Sequence, residues 1–539
     1  MTGAVSGAIY RWDAASGRQL TPAAAQDSAV EQILVSADGR SLFTTDQDGD
    51  LHIWDTAGGK SPRRIVDGIE RGIVASPDGR FLAWAGKGVH GSWRIWLYDV
   101  AGQRVIDRFG NWATDDCVAA FLPDGKTLLT LSHAEEPAVV RLWDVESGKK
   151  RRSFAVAPNA LLLNGVPFFT TRRAALSPDG KTLAIGIEWE GNLRTERRVV
   201  PVRLWDVATG KPGHELNEPM YGPNVPDEAG SGNMTDLAEV HVNRKMRSAD
   251  GRAFSPDGRL LVDWAENPFG RSRMDHVYVW DAATGRAVAT LAAGPRPGAA
   301  NAAFAPDGRT LATASADGTI RLWEVATWKV RAEFRGHRDR VTALAFGPDG
   351  RLFTGGLDTV VLGWDVQPPH AAAKGTLAEA WEALTDADGK AGFQAQGRFL
   401  AEPAKAVEWF AARIPPASPP DPARVKALIA DLDKDEFATR ERATADLKEH
   451  GPVAAAALRA VVAKSSSAEA RRRAEDILRE MENGVIPPRE LRALRAVEVL
   501  EWIATKEARA LLRKLTKGTP DARLTRDAAA ACERLERQK

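Results

Sequence analysis

A tryptophan, once replaced by tyrosine, is followed by an acidic residue at intervals through the first 365 residues, and this recurrence constrains the fold more than any other feature. Successive members are 42, 44, 45, 62, 75, 43 and 41 residues apart. Self-similarity with a period of about 40 residues indicates a repeat architecture in which each unit is one supersecondary element. The members are Trp12-Asp13, Trp54-Asp55, Tyr98-Asp99, Trp143-Asp144, Trp205-Asp206, Trp280-Asp281, Trp323-Glu324 and Trp364-Asp365.

A second motif, of the type Ser-Pro-Asp-Gly, precedes each member after the first. Proline presets φ for a turn, and Asp-Gly supplies the side-chain hydrogen bond and the positive φ that close a tight hairpin. The flanking residues alternate between apolar and polar, which predicts short β-strands. A unit of about 40 residues with four such strands is a propeller blade. The motif lies at 36–39, 76–79, 122–125, 177–180, 255–258, 305–308 and 347–350.

Because the two motifs recur in register, residues 1–365 resemble the WD40 family. The repeat at 336–365 carries most of the structural tetrad of that family. The resemblance implies that four residues are hydrogen-bonded to each other and lock the blade, with a structural role rather than a catalytic one. These residues are His337, Thr354, Asp358 and Trp364. The other repeats lack the Gly-His pair, so we expect most blades to rely on packing.

The number of blades is the open point of this fold. We expect an all-β, WD40-like propeller of eight blades, the first without its inner strand, because the hairpin 4–12 has the pattern of a genuine repeat. In the alternative of seven blades, residues 17–22 complete the last blade and residues 1–13 are spare. A third alternative places Met1 inside a longer protein, whose upstream part supplies the missing strand and any targeting signal.

After Pro368-Pro369 the strand pattern gives way to segments rich in Ala, Arg, Leu and Glu with helical periodicity. These segments predict an all-α region, in which one long helix is expected over 391–412. Helical hairpins such as 435–450 with 452–463 resemble HEAT repeats, and a propeller followed by such a tail resembles a group of large bacterial WD40-repeat proteins. The predicted domains are a propeller over 1–367, a helical connector over 368–413, a Pro-rich linker over 414–422 and a HEAT-like domain over 423–539.

Composition excludes several classes of function. With 73 basic and 72 acidic residues the net charge is +1, which argues against a dominant polyanion-binding surface and so against nucleic acid as a partner. The two cysteines, Cys117 and Cys532, are too few for a disulfide framework or a Cys-based zinc site. No stretch approaches 18 apolar residues and no signal peptide begins the chain, so we expect a cytoplasmic protein without a membrane segment.

Sequence motifs for catalysis or cofactor binding occur only in fragments. Gly125-Lys126-Thr127 resembles the end of a phosphate-binding loop, but Ala120 occupies the place of the required earlier glycine, and the segment is a hairpin turn. The Gly-x-Gly-x-x-Gly string at 86–91 lies between two strands, with no helix N-terminus to hold pyrophosphate. We therefore expect a non-enzymatic protein with no catalytic residues, no cofactor and no metal.

Insertions in the repeats indicate where a partner binds. The long segments follow outer strands or join second to third strands, and in the WD40 topology both connections emerge on one rim, the top face. Aromatic residues and arginine dominate interface energetics, so we expect a protein partner of unknown identity there. The expected partner-binding residues are Phe168, Phe169, Trp189, Arg194, Arg197, Arg198, Tyr221, His241, Arg244, Phe269, Arg271 and Arg273.

These observations favour a scaffold or regulatory module for protein–protein interaction, which binds through the top face of the propeller and through the helical tail. One alternative is an enzyme or small-ligand-binding protein with a site on the top face or in the central channel. Another is a C-terminal fragment of a larger signalling or transcription-regulatory protein. The sequence leaves the oligomeric state open.

Overall fold

The structure is a computed structural model, and the chain divides in it into two compact units. The first unit holds Met1–Leu322 and Glu333–Val366, and the second holds Trp323–Ala332 and Gln367–Lys539. The described residues are 9–12, 19–22, 28–56, 63–69, 71–87, 93–107, 109, 116–132, 138–156, 169–189, 202–216, 251–264, 275–294, 301–370, 374–418, 421–449, 451–482, 484–520 and 522–537.

Twenty-nine strands, taken over these described residues, precede the helical region. The strands are β1 (Ile9–Trp12), β2 (Gln19–Pro22), β3 (Val30–Val35), β4 (Ser41–Asp46), β5 (Leu51–Asp55), β6 (Arg63–Val66), β7 (Arg71–Ala75), β8 (Phe81–Lys87), β9 (Trp93–Asp99), β10 (Arg104–Ile106), β11 (Asp116–Phe121), β12 (Thr127–Ser132), β13 (Ala138–Asp144), β14 (Lys150–Val156), β15 (Phe169–Leu176), β16 (Thr182–Trp189), β17 (Val202–Asp206), β18 (Pro212–Leu216), β19 (Gly251–Phe254), β20 (Leu260–Trp264), β21 (Asp275–Asp281), β22 (Ala287–Gly294), β23 (Asn301–Phe304), β24 (Thr310–Ala314), β25 (Thr319–Glu324), β26 (Lys329–Arg335), β27 (Val341–Phe346), β28 (Leu352–Gly356) and β29 (Val361–Trp364).

These strands form seven sheets in the part of the chain that the structure describes, and the sheets are the blades of a propeller. Six sheets are four-stranded and follow chain order: sheet 1 is β3–β6, sheet 2 is β7–β10, sheet 3 is β11–β14, sheet 4 is β15–β18, sheet 5 is β19–β22 and sheet 6 is β23–β26. Sheet 7 has the order β2-β1-β29-β28-β27. The first strand of each sheet contacts the first strand of the next, and β27 contacts β3, so the ring is closed.

Side chains on the first strands link neighbouring blades. The Gln32 amide donates to the Ile73 carbonyl at 2.7 Å, and the Ile73 N–H donates back to the Gln32 side chain at 2.8 Å. In the same way the Asn301 amide donates to the Thr342 carbonyl at 2.7 Å. Each such bond joins a side chain of one blade to the backbone of the next, which stabilises the ring.

The propeller has seven blades, the alternative that the sequence left open, rather than the eight that the opening hairpin favours. Ile9–Trp12 lies beside β29 in parallel orientation, and Gln19–Pro22 pairs antiparallel with Ile9–Trp12 on the outside. The opening hairpin therefore extends the last sheet instead of starting a blade of its own. Residues 9–12, which the seven-blade alternative left spare, are the ones that adjoin β29.

The Asp-Gly motifs close the first hairpin of each sheet. In sheet 1 the Asp38 carboxylate accepts hydrogen bonds from the Ser36 hydroxyl at 2.6 Å and from the Arg40 N–H at 3.0 Å. Those two donors hold the pKa of Asp38 below its ordinary value. Gly39 has a φ of +70°, a conformation that glycine adopts without steric cost.

Ten helices follow within the described residues, none with the length and apolar character that a membrane crossing requires. The predicted single helix over 391–412 is wrong, because α2 ends at Leu400 and α3 begins at Pro403. Proline cannot donate to the preceding turn, and it sits instead at the first position of a new helix. The helices are α1 (Leu377–Ala383), α2 (Gly389–Leu400), α3 (Pro403–Arg413), α4 (Pro422–Asp431), α5 (Phe437–Glu449), α6 (Gly451–Lys464), α7 (Ala468–Glu482), α8 (Pro488–Ile503), α9 (Lys506–Leu515) and α10 (Arg523–Arg537).

The helices pack around two apolar clusters. One joins α1–α3 to α8–α10 and includes Phe399 and Phe410, and the other lies among α4–α7. The start of the Pro-rich segment is anchored, since Ile414 is buried and the Thr519 N–H donates to the Ala417 carbonyl at 2.7 Å. The predicted domain boundaries and the HEAT resemblance stay predictions.

Candidate interaction site

One rim of the propeller carries all four long interruptions between strands of sheets 3 to 5. The interruptions are 157–168, 190–201, 217–250 and 265–274. Two follow a fourth strand and two join a second strand to a third. Since neighbouring strands within these sheets are antiparallel, both connection types leave from the same end, here named the insertion rim. The opposite end carries the Asp-Gly turns and is named the turn rim.

Two of the expected partner-binding residues lie at the insertion rim. Phe169 begins β15 and Trp189 ends β16, and the two residues are paired across the strands. The structure thus brings together two aromatic residues that are 20 positions apart. The other expected residues, namely Phe168, Arg194, Arg197, Arg198, Tyr221, His241, Arg244, Phe269, Arg271 and Arg273, lie outside the described residues.

The four tetrad residues form one hydrogen-bonded chain inside sheet 7. The Trp364 indole N–H donates to the Thr354 hydroxyl at 2.8 Å, and that hydroxyl lies 2.7 Å from His337 Nε2. His337 Nδ1 lies 3.0 Å from an Asp358 carboxylate oxygen, so it is the protonated nitrogen and Nε2 accepts from Thr354. A Cβ on Gly336 would lie 2.8 Å from the Trp364 ring, which explains the glycine before the histidine. The chain ties strands β28 and β29 to the connection before β27, which holds His337, and to the turn between β28 and β29, which holds Asp358.

The Asp358 carboxylate is half-buried, and two opposed effects set its pKa. Burial raises the pKa, while the hydrogen bonds from the His337 ring and from the N–H groups of Arg338 and Val360 lower it. The lowering effects prevail, so the pKa of Asp358 lies below its ordinary value. The carboxylate is therefore charged in the folded protein at neutral pH.

Other sheets keep part of this hydrogen-bond chain without the histidine. In sheet 3 the Trp143 N–H donates to the Thr130 hydroxyl at 2.8 Å, and that hydroxyl donates to Asp116 at 2.8 Å. The second Asp116 oxygen accepts from buried Arg141 at 2.7 Å. In sheet 1, Trp54 donates to a threonine hydroxyl at 2.8 Å. In these two sheets hydrogen bonds add to the packing on which most blades are expected to rely.

A buried charged cluster lies within the second unit, where the turn between β25 and β26 packs with helices α2 and α8. Arg495 on α8 donates to both carboxylate oxygens of Glu324 at 2.8 Å. Arg331 donates to Glu498 at 2.8–3.0 Å and to the Gln396 side chain at 3.1 Å. All five residues are buried. We name Glu324, Arg331, Gln396, Arg495 and Glu498 the buried charge cluster.

The turn in this cluster differs from the turns of sheets 3 to 5 at two positions. The equivalent turns of sheets 3 to 5 have an aspartate at the start and a glycine at positive φ four residues later. Here Glu324 replaces the aspartate, and Trp328 occupies the glycine position with a φ of 54°. The longer Glu324 side chain still accepts from the Thr327 hydroxyl at 2.7 Å while it binds Arg495. The sequence analysis did not predict the cluster, although the replacement of aspartate by Glu324 and of glycine by Trp328 could be read from the repeat.

Helices α5 and α7 enclose an open groove with a volume of about 330 Å³. Its charged side chains pair with each other: Lys448 lies 2.8 Å from Glu480, and Arg473 lies 2.8 Å from Glu441. Glu441 and Glu469 together raise the pKa of Arg473 above its ordinary value. Four basic and three acidic side chains line the groove, and its fourth cation, Arg472, pairs with Glu469 beside it at 3.3 Å, so the groove offers no strong excess charge with which to select a ligand. Over the described residues, no group of three or more His, Cys, Asp or Glu is arranged to hold a metal ion.

Comparison with known proteins gives the following matches. The family model described as "WD domain, G-beta repeat" matches residues 298–324 and 328–365. Protein groucho of Drosophila melanogaster is 33% identical over 115 residues, which are 21% of this chain and 15% of that protein. Meiotic fizzy-related protein 1 of Schizosaccharomyces pombe is 30% identical over 115 residues, 21% of this chain and 27% of that protein. A protein of Deinococcus radiodurans named "Uncharacterized WD repeat-containing protein" is 27% identical over 275 residues, 49% of this chain and 89% of its own length.

The chain spans less than a third of the length of groucho and of Meiotic fizzy-related protein 1. WD40 propellers generally mediate protein–protein interaction or regulation and are typically non-enzymatic scaffolds. The two matched repeats lie in sheets 6 and 7, next to five further sheets with the same turn motif. The chain therefore carries WD40 repeats in a seven-bladed β-propeller that is followed by a C-terminal helical region.

Proposed function

We propose that this protein is a non-enzymatic scaffold that binds a protein partner through the insertion rim of its propeller. The observation that carries the proposal is the segregation of the insertions. All four long interruptions leave from one rim, whereas the turns at the other rim stay short. Loops held by a rigid scaffold are where binding residues concentrate.

The rigidity of the scaffold supports this assignment. The inner strands form a closed ring, and buried side chains lock individual sheets, as the chain from Trp364 to Asp358 does in sheet 7. Binding to a preformed surface avoids the entropy cost of ordering the scaffold at the moment of association. The rim is thus suited to present a fixed set of side chains to a partner.

The chemistry of the rim residues supports a protein partner over a charged polymer. Phe169 and Trp189 are paired at the strand ends, and the expected arginines lie on the segments that follow. Large aromatic and arginine side chains supply most of the free energy at protein interfaces. With a net charge of only +1, the chain has no overall electrostatic preference for a polyanion.

The test is affinity capture from the source cell with the full chain, read by mass spectrometry. We expect the double variant Trp189→Ala/Arg197→Ala to recover about tenfold less of the principal partner, since the loss of two central anchors costs more than 1.4 kcal/mol. The matched control is Lys181→Ala/Arg259→Ala, which removes two exposed side chains of the turn rim.

The control variant is expected to recover the partner as the wild type does. Far-ultraviolet circular dichroism and the unfolding temperature establish that each variant is folded. Equal recovery by wild type and by folded Trp189→Ala/Arg197→Ala would remove the insertion rim from consideration. Loss of recovery in the control alone would move the binding site to the turn rim.

A further inference from the structure

Sheets 3 and 6 share a pair of charged residues that sheets 4 and 5 lack. An acidic residue ends the third strand, Asp144 in sheet 3 and Glu324 in sheet 6. An arginine follows seven positions later in both sheets, Arg151 and Arg331, where sheets 4 and 5 have a glycine and a valine. The turns of sheets 3 and 6 therefore offer the same two charges at equivalent places.

In sheet 6 a helix binds both of these charges. Arg495 of α8 binds Glu324, and Glu498, which lies one turn further along α8, binds Arg331. The Arg331 side chain is only 2% exposed in this contact. Within the second unit, the acid–arginine pair of a blade thus receives two charged side chains from one face of a helix.

In sheet 3 the same pair closes on itself at the surface. Arg151 Nε donates to the Asp144 carboxylate at 3.0 Å, and Arg151 Nη1 donates to the Thr127 hydroxyl at 2.9 Å. The Arg151 side chain is nevertheless 46% exposed. An ion pair with this exposure contributes little to stability, so a partner can replace it at little cost.

Three lysines surround the pair in sheet 3. Lys149 and Lys150 follow the turn, and Lys126 lies beside it, since the Val145 N–H donates to the Lys126 carbonyl at 2.9 Å. All three lysines are exposed, and none has an acidic partner among the residues that the structure describes. Five basic and three acidic residues lie together here, so the charge of this surface is positive. The surface, here named the sheet 3 basic surface, consists of Lys126, Lys149, Lys150, Arg151, Arg152, Asp124, Asp144 and Glu146.

We propose that the sheet 3 basic surface binds the acidic face of a helix from another protein. Charge complementarity selects an acidic partner, since three unpaired lysines are available to its carboxylates. The contact of α8 with the equivalent turn of sheet 6 favours a helix over an extended segment. A nucleic acid fits less well, because the three carboxylates within the surface repel a continuous chain of phosphates. The surface lies at the turn rim, so this inference does not depend on the proposed function.

The contact depends on several ion pairs that form together. Each exposed ion pair is weak by itself, and salt screens it. A helix presents several carboxylates at once, because residues three and four positions apart lie on the same face. The affinity should therefore be highest at low salt and should fall steeply as the salt concentration rises.

The test is fluorescence anisotropy of the full chain with a labelled, alanine-based peptide of about 20 residues that carries glutamates along one helical face. We expect this peptide to bind at low salt, and its glutamine counterpart to bind about tenfold more weakly or worse. Lys149→Glu/Lys150→Glu should weaken binding of the glutamate peptide by about tenfold or more, because attraction becomes repulsion. The matched control is Lys181→Glu/Arg259→Glu, the same change of charge at exposed positions of sheets 4 and 5, which should change the affinity by less than about twofold.

Four results would overturn the inference. The first is no binding of the glutamate peptide at low salt, and the second is equal binding of the glutamine peptide. The third is an equal loss in the control variant, which would assign the effect to the net charge of the chain. The fourth is equal or tighter binding of single-stranded DNA, or of a peptide of the same charge whose helix is interrupted by proline. Circular dichroism shows whether each variant is folded, and Lys126→Glu/Lys150→Glu is a second variant with the same expected loss.

Discussion

Two turns at equivalent places in neighbouring repeats have the same backbone geometry and different surroundings. In sheet 5 the Gly285 N–H donates to the Asp281 carbonyl at 2.8 Å, and in sheet 6 the Trp328 N–H donates to the Glu324 carbonyl at 2.7 Å. In sheet 5 the Asp281 carboxylate accepts from the Thr284 N–H and hydroxyl, both within the turn. In sheet 6 the carboxylate also accepts two hydrogen bonds from Arg495, which lies 171 residues further along the chain.

The comparison teaches that the exchange of aspartate for glutamate marks the turn that also binds a helix, whereas a non-glycine residue at the positive-φ position does not, since Gln103 occupies it in sheet 2 with a φ of 50°. An aspartate is long enough to close the turn, and the extra methylene of Glu324 lets the carboxylate serve the turn and α8 together. Glycine is the residue that the positive φ favours, and Trp328 adopts this conformation at a steric cost of about 1–2 kcal/mol. Both exchanges occur in the one turn that belongs to the helical unit.

The largest expected effect comes from removing the arginine of the pair. Arg495→Ala leaves Glu324 buried without its cation, and we expect the helical unit to lose about 3–5 kcal/mol of stability. The measurement is hydrogen–deuterium exchange of the α8 amides, whose protection reports the free energy of opening. As a control, Arg537→Ala removes an arginine whose side chain is 78% exposed, with an expected change of no more than about 0.5 kcal/mol. Similar effects of the two variants would contradict the comparison.

A smaller effect is expected when the two turns exchange their acidic residues. Glu324→Asp restores the residue of the other repeats but draws the carboxylate back from Arg495, with an expected loss of about 1.5–3 kcal/mol. The reciprocal Asp281→Glu keeps the hydroxyl bond of the turn, as Glu324 does, and should change the stability by about 0.5 kcal/mol or less. Hydrogen–deuterium exchange of the α8 amides measures the loss of stability in Glu324→Asp, and that of the β21–β22 amides measures it in Asp281→Glu. Equal losses would mean that the length of the acidic side chain has no special role in sheet 6.

The cost of a side chain at the glycine position can be measured in the other sheets. Gly285→Ala places a Cβ at a φ of +68° and 3.3 Å from the His214 Cβ, and we expect a loss of about 1–2 kcal/mol. Gly210→Ala should cost more, because its Cβ would lie 2.9 Å from the Phe154 side chain. The unfolding temperatures of both variants test this order. A neutral Gly210→Ala would show that the turn absorbs a side chain without strain.

The smallest expected effect is the pH dependence of stability that comes from Asp358. Its hydrogen-bonded chain in sheet 7, unlike the Glu324–Arg495 pair, does not reach the helical unit. The pKa of Asp358 is lowered on folding, so its contribution to stability is present above the ordinary value of 3.8 and is lost as the pH falls through the folded value. Asp358→Asn should remove this acid-dependent loss in sheet 7. Amide exchange of β27–β29 as a function of pH measures it. An unchanged acid profile in the variant would assign the loss to other carboxylates.

Much of the propeller was predictable from local pattern. Each Asp-Gly motif predicts its own hairpin, and each Trp-Asp motif after the first marks the end of a third strand, because both depend on neighbouring residues only. The number of blades could not be settled from the sequence, because β1 pairs with Val361–Gly363, about 350 residues later in the chain. The pattern of a hairpin does not show which distant strand it pairs with. The helix break at Pro403 was visible in the sequence and was missed.

The strand-end positions of two candidate site residues were predictable, and their role in binding stays a prediction. Insertion lengths and strand alternation are enough to assign Phe169 and Trp189 to one rim. The contact between Asp116 and Thr130 in sheet 3 depends on the register of β11 against β12, and the register shift between Val118 and Ala120 hides this register from the sequence. The Glu324–Arg495 ion pair joins a strand to a distant helix. Glutamate in place of aspartate indicates a further contact of this side chain, but the sequence does not identify Arg495 as the residue it contacts.

A double-mutant cycle between Glu324 and Arg495 tests the central claim, that this turn is part of the helical unit through a buried ion pair. The free energy of opening of the α8 amides is measured in wild type, Glu324→Gln, Arg495→Ala and the double variant. We predict a coupling energy of about 2–3 kcal/mol, because each single change leaves one buried polar group without its partner and the second change adds little. Additive losses, with a coupling energy near zero, would contradict the account.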